Sequence, residues 1–411
     1  MDKSIPLRSL YVDFNSYFAS VEQELRPKLR GRPVGVLPVL AETTCCIAAS
    51  YEAKAFGVKT GTPVYEARQR CPGIVFVEAR PPLYVEMHHK LVAAVESCTP
   101  VGRVLSIDEM SCPLTGSERN ADQALALAYR IKATIAAQVG THLRCSIGIA
   151  PNTFLAKIAS NMQKPDGCTV IEAADLPQAL HRLDLRDIHG IGRALESRLR
   201  QHGIDTVEQL CAAHAGTLRA AWGSIDGERM HARLRGEELP EHATRRASVS
   251  HSHVLPPELR NEAAAYSVLH RLLQKAAMRL RSYGLIAGNL HVRVKFRDVS
   301  VWRADQPLDP TADTLAFLHA LDALWGQRPA RKKPLAVAVA LTALDVAAHR
   351  SRDLFDDDHG RGHERLDAAM DAINLRYGKN SLYFGGAHRA LSAAPMRIAF
   401  QHIPDLEVEA D

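Results

Sequence analysis

The sequence predicts an α+β protein of several domains, and three observations lead to this fold class. The chain has 411 residues, whereas single hydrophobic cores rarely grow beyond about 250–300 residues. Apolar strand-like runs alternate with helical periodicity between residues 8 and 163, which is typical of layered folds rather than of sandwiches. Beyond residue 248 the predicted order is β-α-β-β-α-β, which is typical of a small split βαβ sheet domain.

The N-terminal part of the chain alternates between two periodicities. Short apolar runs bounded by turn residues predict strands, and apolar residues three or four apart predict helices. The predicted strands are 8–14, 33–40, 45–49, 74–78, 101–107 and 143–149, and the predicted helices are 16–26, 120–138 and 152–163, with helical periodicity through 60–95 on either side of the fourth strand.

Residues 174–235 predict short helices with a glycine-rich turn among them. The turn at 188–192 reads Ile-His-Gly-Ile-Gly and precedes a helical run. Such a turn is typical of a helix-hairpin-helix, in which backbone N–H groups near Gly190 and Gly192 approach a DNA phosphate, although it is also common for packing alone. Residues 236–247 form a polar, proline-containing segment of the kind that links domains.

The C-terminal domain contains a strand with one cationic face. The predicted elements are strand 248–254, helix 262–282, strands 287–298 and 300–304, helix 311–326 and strand 335–345. Within the second strand, Leu290, Val292, Val294 and Phe296 alternate with His291, Arg293, Lys295 and Arg297. Because strand side chains alternate between faces, one face is apolar and the other cationic. A cationic face can be merely solvated, but three cations without one anion on a strand suit contact with nucleic-acid phosphates better.

The pattern weakens after about residue 350. Residues 361–376 can form an amphipathic helix, 381–385 a short strand, and the acidic residues 407–411 a disordered end. The run 359–363, His-Gly-Arg-Gly-His, has two histidines that are possible metal ligands, but its glycines and charged neighbours favour a flexible hydrophilic loop.

Composition argues against membrane and secreted classes. No apolar run reaches the roughly 20 residues needed to span a bilayer, and the N-terminus lacks a signal-peptide core. The eight cysteines include no Cys-x-x-Cys pair, so they predict idle thiols in a reducing, cytoplasmic setting. The net charge is only +5, but cations concentrate in 245–303 and 328–333, an uneven distribution expected of a protein that follows a phosphate backbone.

Three carboxylates stand at strand ends. Asp13 closes the first predicted strand, and Asp108 and Glu109 follow the strand 101–107. Two-metal phosphoryl transfer needs such hard oxygen ligands on rigid elements. Because adjacent residues on a strand point to opposite faces, Asp108 or Glu109 must lie at a strand end or a bulge if both are to reach metal. Taken alone, an Asp-Glu pair is typical of a solvated turn.

Four motifs in this order make the chain similar to one family. They are Asp-Phe-Asn-Ser-Tyr-Phe-Ala-Ser-Val-Glu at 13–22, Ser-Tyr-Glu-Ala-Lys at 50–54, Ser-Ile-Asp-Glu at 106–109 and Ala-Lys-Ile-Ala-Ser-Asn-Met-Gln-Lys-Pro-Asp-Gly at 156–167. From about residue 8 to about residue 345 the sequence resembles the Y-family, the translesion DNA polymerases. The resemblance implies a right-hand polymerase with a palm at 1–27 and 81–173, fingers at 28–80, a helix-hairpin-helix thumb at 174–235, a linker at 236–247, a split βαβ little finger at 248–346 and a C-terminal extension at 347–411.

The resemblance also implies roles for the residues in these motifs. Asp13, Asp108, Glu109 and the main-chain carbonyl of Phe14 would hold two Mg²⁺ ions. Nucleotide-binding roles fall on Tyr17, Phe18, Tyr51, Lys54 and Lys164. Phe18 stands at the position of the steric gate, which excludes the 2′-hydroxyl of ribonucleotides, although an ordinary core role is open as well. Many relatives carry Arg in place of Lys54 and other side chains in place of Ser16 and Ala48, so the set of phosphate contacts departs from the family's.

The implied partners are primer-template DNA and dNTPs. Gly190 and Gly192 would contact DNA, together with five cations of the C-terminal part, namely Arg245, Arg246, Arg293, Lys295 and Arg297. Leu354 and Phe355 match the apolar anchor residues of a sliding-clamp-binding peptide, but Ser351 stands where relatives carry Gln. A local packing role for Leu354 and Phe355 is open too. We expect the protein to be a monomer. We also expect frequent copying errors, because no second set of clustered carboxylates indicates a proofreading exonuclease.

Three other functions compete with this interpretation. A catalytically idle accessory protein would keep the fold but would be expected to lose its metal-binding acids. A nucleotidyl cyclase can share the palm-like sheet, yet it has no use for a helix-hairpin-helix or a basic C-terminal domain. A purely structural DNA-binding protein leaves Asp13, Asp108 and Glu109 without a role.

Overall fold

A computed structural model describes residues 5–42, 44–240, 245–349, 358–378, 380–393, 395 and 403, with the side chains of 358–361 left out. The chain divides into two compact units. The first consists of residues 1–241 with 398–403, and the second of 242–397 with 404–411.

The described part of the first unit mixes short strands with helices. In chain order its elements are β1 (Ser9–Phe14), α1 (Tyr17–Leu25), β2 (Val34–Leu37), β3 (Ala48–Ala49), α2 (Tyr51–Lys54), α3 (Val64–Arg70), β4 (Val75–Glu78), α4 (Pro81–Glu96), β5 (Arg103–Ser106), β6 (Glu109–Pro113), α5 (Ala121–Gln138), β7 (Cys145–Ala150), α6 (Thr153–Met162), β8 (Cys168–Val170), α7 (Arg193–Gln201), α8 (Val207–Ala212), α9 (Ala215–Trp222) and α10 (Asp226–Leu234).

A five-stranded sheet forms the centre of this unit, in the order β5-β6-β1-β7-β8. All six residues of β1 are buried, as expected for a central strand covered on both faces. The strand pairs antiparallel with β6 on one side and with β7 on the other. Helices begin beside it where polar side chains cap them: Asn120 accepts a hydrogen bond from the N–H of Asp122 at the start of α5, and Asn152 from that of Leu155 in α6.

The predicted fingers region has a small sheet and a core of its own. Its order is β3-β2-β4, and a separate cluster of buried residues, including Leu37, Cys46 and Val64, packs beneath it. The strand predicted at 45–49 is shorter than expected. The backbone N–H of Cys46 donates to the carbonyl of Thr62 and not to a residue of β2. The strand β3 therefore begins only at Ala48.

The helices α7 to α10 share their core with α6 and the sheet. Tyr11, Leu155 and Ile158 lie in the same buried cluster as Ile188 and Leu199. Packing therefore fixes these helices against the sheet within this unit.

The second unit confirms the predicted β-α-β-β-α-β order. Its described elements are β9 (Val249–Val254), α11 (Glu262–Ser282), β10 (Leu285–Phe296), β11 (Val301–Thr311), α12 (Thr314–Trp325), β12 (Pro334–Val346) and α13 (Asp358–Tyr377). The four strands form one antiparallel sheet in the order β11-β10-β12-β9, with α11 and α12 contributing most of the buried core. The α+β, multidomain fold class is thereby confirmed.

Two expectations for the C-terminal part are wrong. The short strand predicted at 381–385 is a turn that leads into a 3₁₀ helix, Gly385–Ala390. Side chains of α11 supply the hydrogen bonds that a neighbouring strand would have made: Gln274 Oε1 accepts from the N–H of Phe384, and the Ser267 hydroxyl donates to the carbonyl of Gly386.

The flexible loop predicted at 359–363 lies inside α13. Glycines lower helix propensity by about 1 kcal/mol each, but tertiary contacts override that preference. Here the helix is anchored by Arg281 of α11, which pairs with Asp367 and Asp371, and by a hydrogen bond between His363 Nδ1 and Asp313 Oδ2 at 2.8 Å. The amphipathic helix predicted at 361–376 is confirmed.

Candidate active site

The three predicted acids lie close together on β1, at the start of β6 and in the turn before β6. Asp13 of β1 lies directly opposite Glu109, the first residue of β6. Asp108 occupies the turn between β5 and β6, and its carbonyl accepts a hydrogen bond from the N–H of Phe14 at 2.9 Å. Side chains directly opposite each other in an antiparallel pair stand about 4.5–5.5 Å apart at Cβ. The expectation that one acid of the Asp108–Glu109 pair leaves the regular strand is correct.

Asp13 is buried, with 6% of its surface exposed, and is paired with a lysine. Lys164 Nζ lies 2.6 Å from Asp13 Oδ1. Burial raises the pKa of the Asp13 carboxyl to about 6; Lys164 opposes the rise, and the charges of Glu109 and Asp108 add to it. The carboxyl is therefore held in an environment that disfavours its own charge, which a cation would relieve.

The Asp108 carboxyl is held by the strand that precedes it. The Ser106 hydroxyl donates to Asp108 Oδ1 at 2.7 Å. Burial raises the pKa of Asp108 above its ordinary value, the Ser106 hydrogen bond opposes this, and the nearby Glu109 charge adds to it. His88 of α4 bonds through Nδ1 to the carbonyl of Ile107 at 2.8 Å, so the turn that carries Asp108 is fixed to the helix beneath it.

Glu109 has a partner that the sequence reasoning missed. Lys157 Nζ of α6 donates to both Glu109 carboxylate oxygens at 2.8 Å and to the Tyr11 hydroxyl at 3.2 Å. Burial alone would raise the pKa of Glu109, but the hydrogen bonds and charge of Lys157, aided by Lys164, hold it below its ordinary value. Lys157 was visible as the one cation within the apolar helix 153–162.

The donor set suits a hard divalent cation. Carboxylate oxygens and a backbone carbonyl are the ligands that Mg²⁺ prefers, and two of the three carboxyls have raised pKa values that a cation would lower. Among the described residues no three acidic, His or Cys side chains converge as a ready-made metal cluster. Lys164 and Lys157 engage Asp13 and Glu109 instead, and both ammonium groups would have to move aside for a metal.

Two residues of α2 face the same carboxylates. Ser50 caps this helix, accepting a hydrogen bond from Ala53, and Tyr51 and Lys54 follow, with Lys54 Nζ 4.3 Å from the centre of the Tyr51 ring. Burial, with a contribution from the Asp13 charge, raises the pKa of Tyr51 to about 12. Desolvation and the positive charge of Lys164 lower the pKa of Lys54, against the pull of Asp13. Two lysines and a hydroxyl thus lie near Asp13.

Phe18 and Tyr17 are buried at the start of α1, beside the end of β1. The Phe18 ring, 2% exposed, stacks on Tyr84 of α4, with the ring centres 4.6 Å apart and the planes at 19°. The Tyr17 hydroxyl donates to the carbonyl of Tyr84 at 2.6 Å. This placement is compatible with a gate and with a core role, so the nucleotide contacts of both residues stay predictions.

The glycine-rich turn has the backbone that its sequence predicts. Gly190 adopts a φ of 91°, a left-handed conformation that side chains other than glycine rarely adopt. Gly192 caps the N-terminus of α7, and a Cβ at either glycine would meet no neighbouring atom. The turn is open and presents backbone N–H groups at a helix start.

The cationic strand of the second unit has the alternation that was predicted. Leu290, Val292, Val294 and Phe296 are buried, whereas Arg293 is exposed and Lys295 half-buried. The strand ends at Phe296, earlier than predicted, so the exposed Arg297 lies in the turn that follows β10. Arg303 of β11 lies directly opposite Arg293 and adds a cation that sequence reasoning missed. Arg245 is exposed, and the Arg246 guanidinium lies 4.0 Å from the centre of the Tyr283 ring. The predicted clamp residues Leu354 and Phe355 lie outside the described residues.

Within the described residues, no helix combines the length and the apolar character that crossing a membrane requires.

Comparison with known proteins gives consistent matches along the chain. The sequence profile of the impB/mucB/samB family matches residues 12–161, that of the IMS family HHH motif 173–204, and that of the impB/mucB/samB family C-terminal domain 246–354. DNA polymerase IV of Moorella thermoacetica is 34% identical over 394 residues, covering 93% of this chain and 95% of the relative. DNA polymerase IV 1 of Bacillus subtilis is 30% identical over 385 residues, covering 90% of each chain.

Solved structures agree with the sequence matches. A Y-family DNA polymerase chimera of Dbh and Dpo4 superimposes with a TM-score of 0.70 at 25% identity, covering 82% of this chain and 99% of the other. An insertion ternary complex of Dbh DNA polymerase covers the same shares, with a TM-score of 0.55 at 25% identity. With paired carboxylates at the strand ends, an open glycine-rich turn and near full-length relatives, the chain belongs to the impB/mucB/samB family, the Y-family of translesion DNA polymerases.

Proposed function

We propose that this chain is a low-fidelity, template-directed DNA polymerase that adds dNTPs to a primer 3′ end across damaged template. The observation that carries the proposal is that Asp13 and Glu109 lie opposite each other on adjacent strands, with Asp108 in the turn before Glu109 and Lys164 and Lys54 beside Asp13. The arrangement combines anionic ligands for metal with cations for a triphosphate. Family membership and the DNA polymerase IV relatives support the same reaction.

Each part of the site has a role in this nucleotidyl transfer. Asp13, Asp108, Glu109 and the Phe14 carbonyl would hold the metal. Two Mg²⁺ ions, when bound, would polarise the primer 3′-hydroxyl and neutralise the triphosphate and the leaving pyrophosphate. Lys164, Lys54 and Tyr51 bind the β and γ phosphates with donated hydrogen bonds.

The remaining predicted contacts belong to the same proposal. Phe18, with Tyr17 beside it, lies under the sugar. The Gly190–Gly192 turn and the C-terminal cations Arg245, Arg246, Arg293, Lys295 and Arg297 follow the primer-template backbone. We further propose that the protein acts as a cytoplasmic monomer and that Leu354 and Phe355 anchor it to the sliding clamp.

Primer extension by the purified protein, with and without Mg²⁺, tests this function. We expect Mg²⁺-dependent extension that falls at least about 100-fold in Asp108→Ala and in Glu109→Ala, because transition-state charge is no longer neutralised. Binding of primer-template should persist in both variants. Glu86→Gln, which alters an exposed ion pair with Lys90 on α4, serves as the matched control and should extend like the parent.

Two results would contradict the proposal. If the alanine variants extend primers as well as the parent does, the assignment of the centre is wrong. If the folded parent binds primer-template but never extends it, the chain is the catalytically idle accessory protein.

A further inference from the structure

Two helices meet behind Phe18 through a pair of matched contacts. Phe18 and Glu22 lie four residues apart on α1, and Arg80 and Tyr84 lie four residues apart at the start of α4. Residues with this spacing share one helix face. Phe18 stacks on Tyr84, and Glu22 pairs with Arg80 one helical turn away.

Glu22 is the centre of this contact and is completely buried. Arg80 Nε and Nη2 donate to its two carboxylate oxygens at 3.0 and 2.7 Å, the bidentate geometry of a strong guanidinium–carboxylate pair. The Tyr84 hydroxyl donates to Glu22 Oε1 at 2.8 Å. One carboxylate therefore binds both the arginine that begins α4 and the tyrosine that supports Phe18.

Tyr84 is held at both of its polar ends. Its hydroxyl is bound to Glu22, and its carbonyl accepts a hydrogen bond from the Tyr17 hydroxyl at 2.6 Å. Its ring is fully buried and lies nearly parallel to that of Phe18. The Tyr84 side chain therefore cannot move away from Phe18 without breaking its buried hydrogen bond to the Glu22 carboxylate.

We propose that Glu22 and Arg80 are positioning residues for sugar selection: the ion pair between the buried Glu22 and the half-buried Arg80 fixes Tyr84, and the Tyr84 ring keeps Phe18 from yielding to a 2′-hydroxyl. This inference rests on the proposed polymerase function and on Phe18 as the gate. A steric barrier discriminates only as strongly as the groups behind it resist displacement. The interaction that sets this resistance thus lies one residue layer behind the ring that faces the sugar.

The test compares dNTP and rNTP incorporation opposite the same template base. We expect Glu22→Gln and Arg80→Lys each to lower the ratio of kcat/KM for dNTP to that for rNTP by about tenfold, mainly through better rNTP use. Lysine keeps the positive charge of Arg80 but cannot make the bidentate pair with Glu22. Arg80→Lys therefore still tests the proposal if Glu22→Gln does not fold. The kcat for dNTP should stay within about threefold of the parent in both variants.

Two further proteins make the outcome specific. Phe18→Ala shows how low the ratio falls when the gate side chain is removed. Glu86→Gln breaks an exposed ion pair on the same helix as Tyr84 and should keep the parent's ratio. Melting temperatures are measured throughout, because a purely structural ion pair would lower them and leave the ratio unchanged.

The possible failures are distinguishable. If Phe18→Ala loses discrimination while folded Glu22→Gln and Arg80→Lys retain it, the positioning role is wrong and the gate stands. If Phe18→Ala also retains it, the gate is wrong and the positioning role falls with it. A parent that does not extend primers at all refutes the proposed function itself.

Discussion

The acidic residues at the end of β1 and the start of β6 lower the stability of the folded protein. Asp13 is buried and Asp108 is half-buried, and their pKa values are raised by burial and by neighbouring negative charge. Lys164 and Lys157 offset part of this by pairing with Asp13 and Glu109. Like charges kept close together in a protein indicate a ligand of opposite charge, since packing alone gains nothing from them.

Mg²⁺ should therefore stabilise the protein in the absence of DNA. A cation that binds only the folded state adds about 2.7 kcal/mol at 100 times its dissociation constant. We expect the melting temperature of the parent to rise on adding Mg²⁺ to chelator-treated protein and the rise to shrink in Asp13→Asn. Differential scanning fluorimetry checks this, with Glu86→Gln as the control. Equal shifts in the parent and in Asp13→Asn would place the cation elsewhere.

At the scale of elements, β10 has a cationic face and a packing face. The apolar residues of β10 join the core of the second unit, while its cations point outward next to Arg303. Among the described residues, no carboxylate pairs with Arg293, Lys295 or Arg297. Arg293 and Lys295 on the sheet and Arg297 in the turn that follows it thus offer unneutralised charge, which suits contacts with phosphates.

Neutralising Arg293, Lys295 and Arg297 together should weaken primer-template binding for every sequence and flatten its salt dependence. Each lost phosphate contact removes roughly 0.9 from the slope of log K against log salt, because fewer counterions are released. The binding constant is measured over a salt series for the parent and the triple glutamine variant. A Lys90→Gln, Arg130→Gln protein, altered on α4 and α5 of the first unit, controls for lost charge. Parallel lines of equal slope would mean that this strand does not touch the backbone.

An arginine of α11 makes close ion pairs to α13. Arg281 pairs with Asp371 through two nitrogens at 2.7 and 2.8 Å, lies 3.2 Å from the buried Asp367, and donates to the hydroxyl of Thr314. Asp367 also accepts the backbone N–H of Thr314 at the start of α12. One guanidinium therefore joins three helices of the second unit.

Arg281→Ala should free α13 and destabilise this unit by about 3–5 kcal/mol, because Asp367 is left buried without its cation. Hydrogen exchange measures the effect: amides of α13 should exchange faster than those of β10. Lys332→Ala, which removes an exposed ion pair with Asp298, should change stability by less than about 1 kcal/mol. Unchanged protection of α13 in Arg281→Ala would show that apolar packing alone holds it.

At the scale of the whole molecule, each compact unit has its own core. In the first unit one buried cluster joins the sheet to the helices α7 to α10. Asn152 reinforces this junction, capping α6 and donating to the carbonyls of Arg233 and Glu237, both at 2.9 Å. In the second unit the core lies between the sheet and its helices. The predicted domain boundaries remain predictions, although the division between the units falls at 241/242, inside the predicted linker.

The sequence by itself determined most element types before residue 350, the β-α-β-β-α-β order and the candidate acids Asp13, Asp108 and Glu109, because hydrophobic periodicity and short motifs are local signals. Only the tertiary structure decided that Lys157 binds Glu109, that Glu22 holds Arg80 and Tyr84, and that 359–363 is helical. These features depend on pairs of side chains distant in sequence. Such pairing energies arise only when packing brings the partners together and excludes water, and no local pattern encodes them.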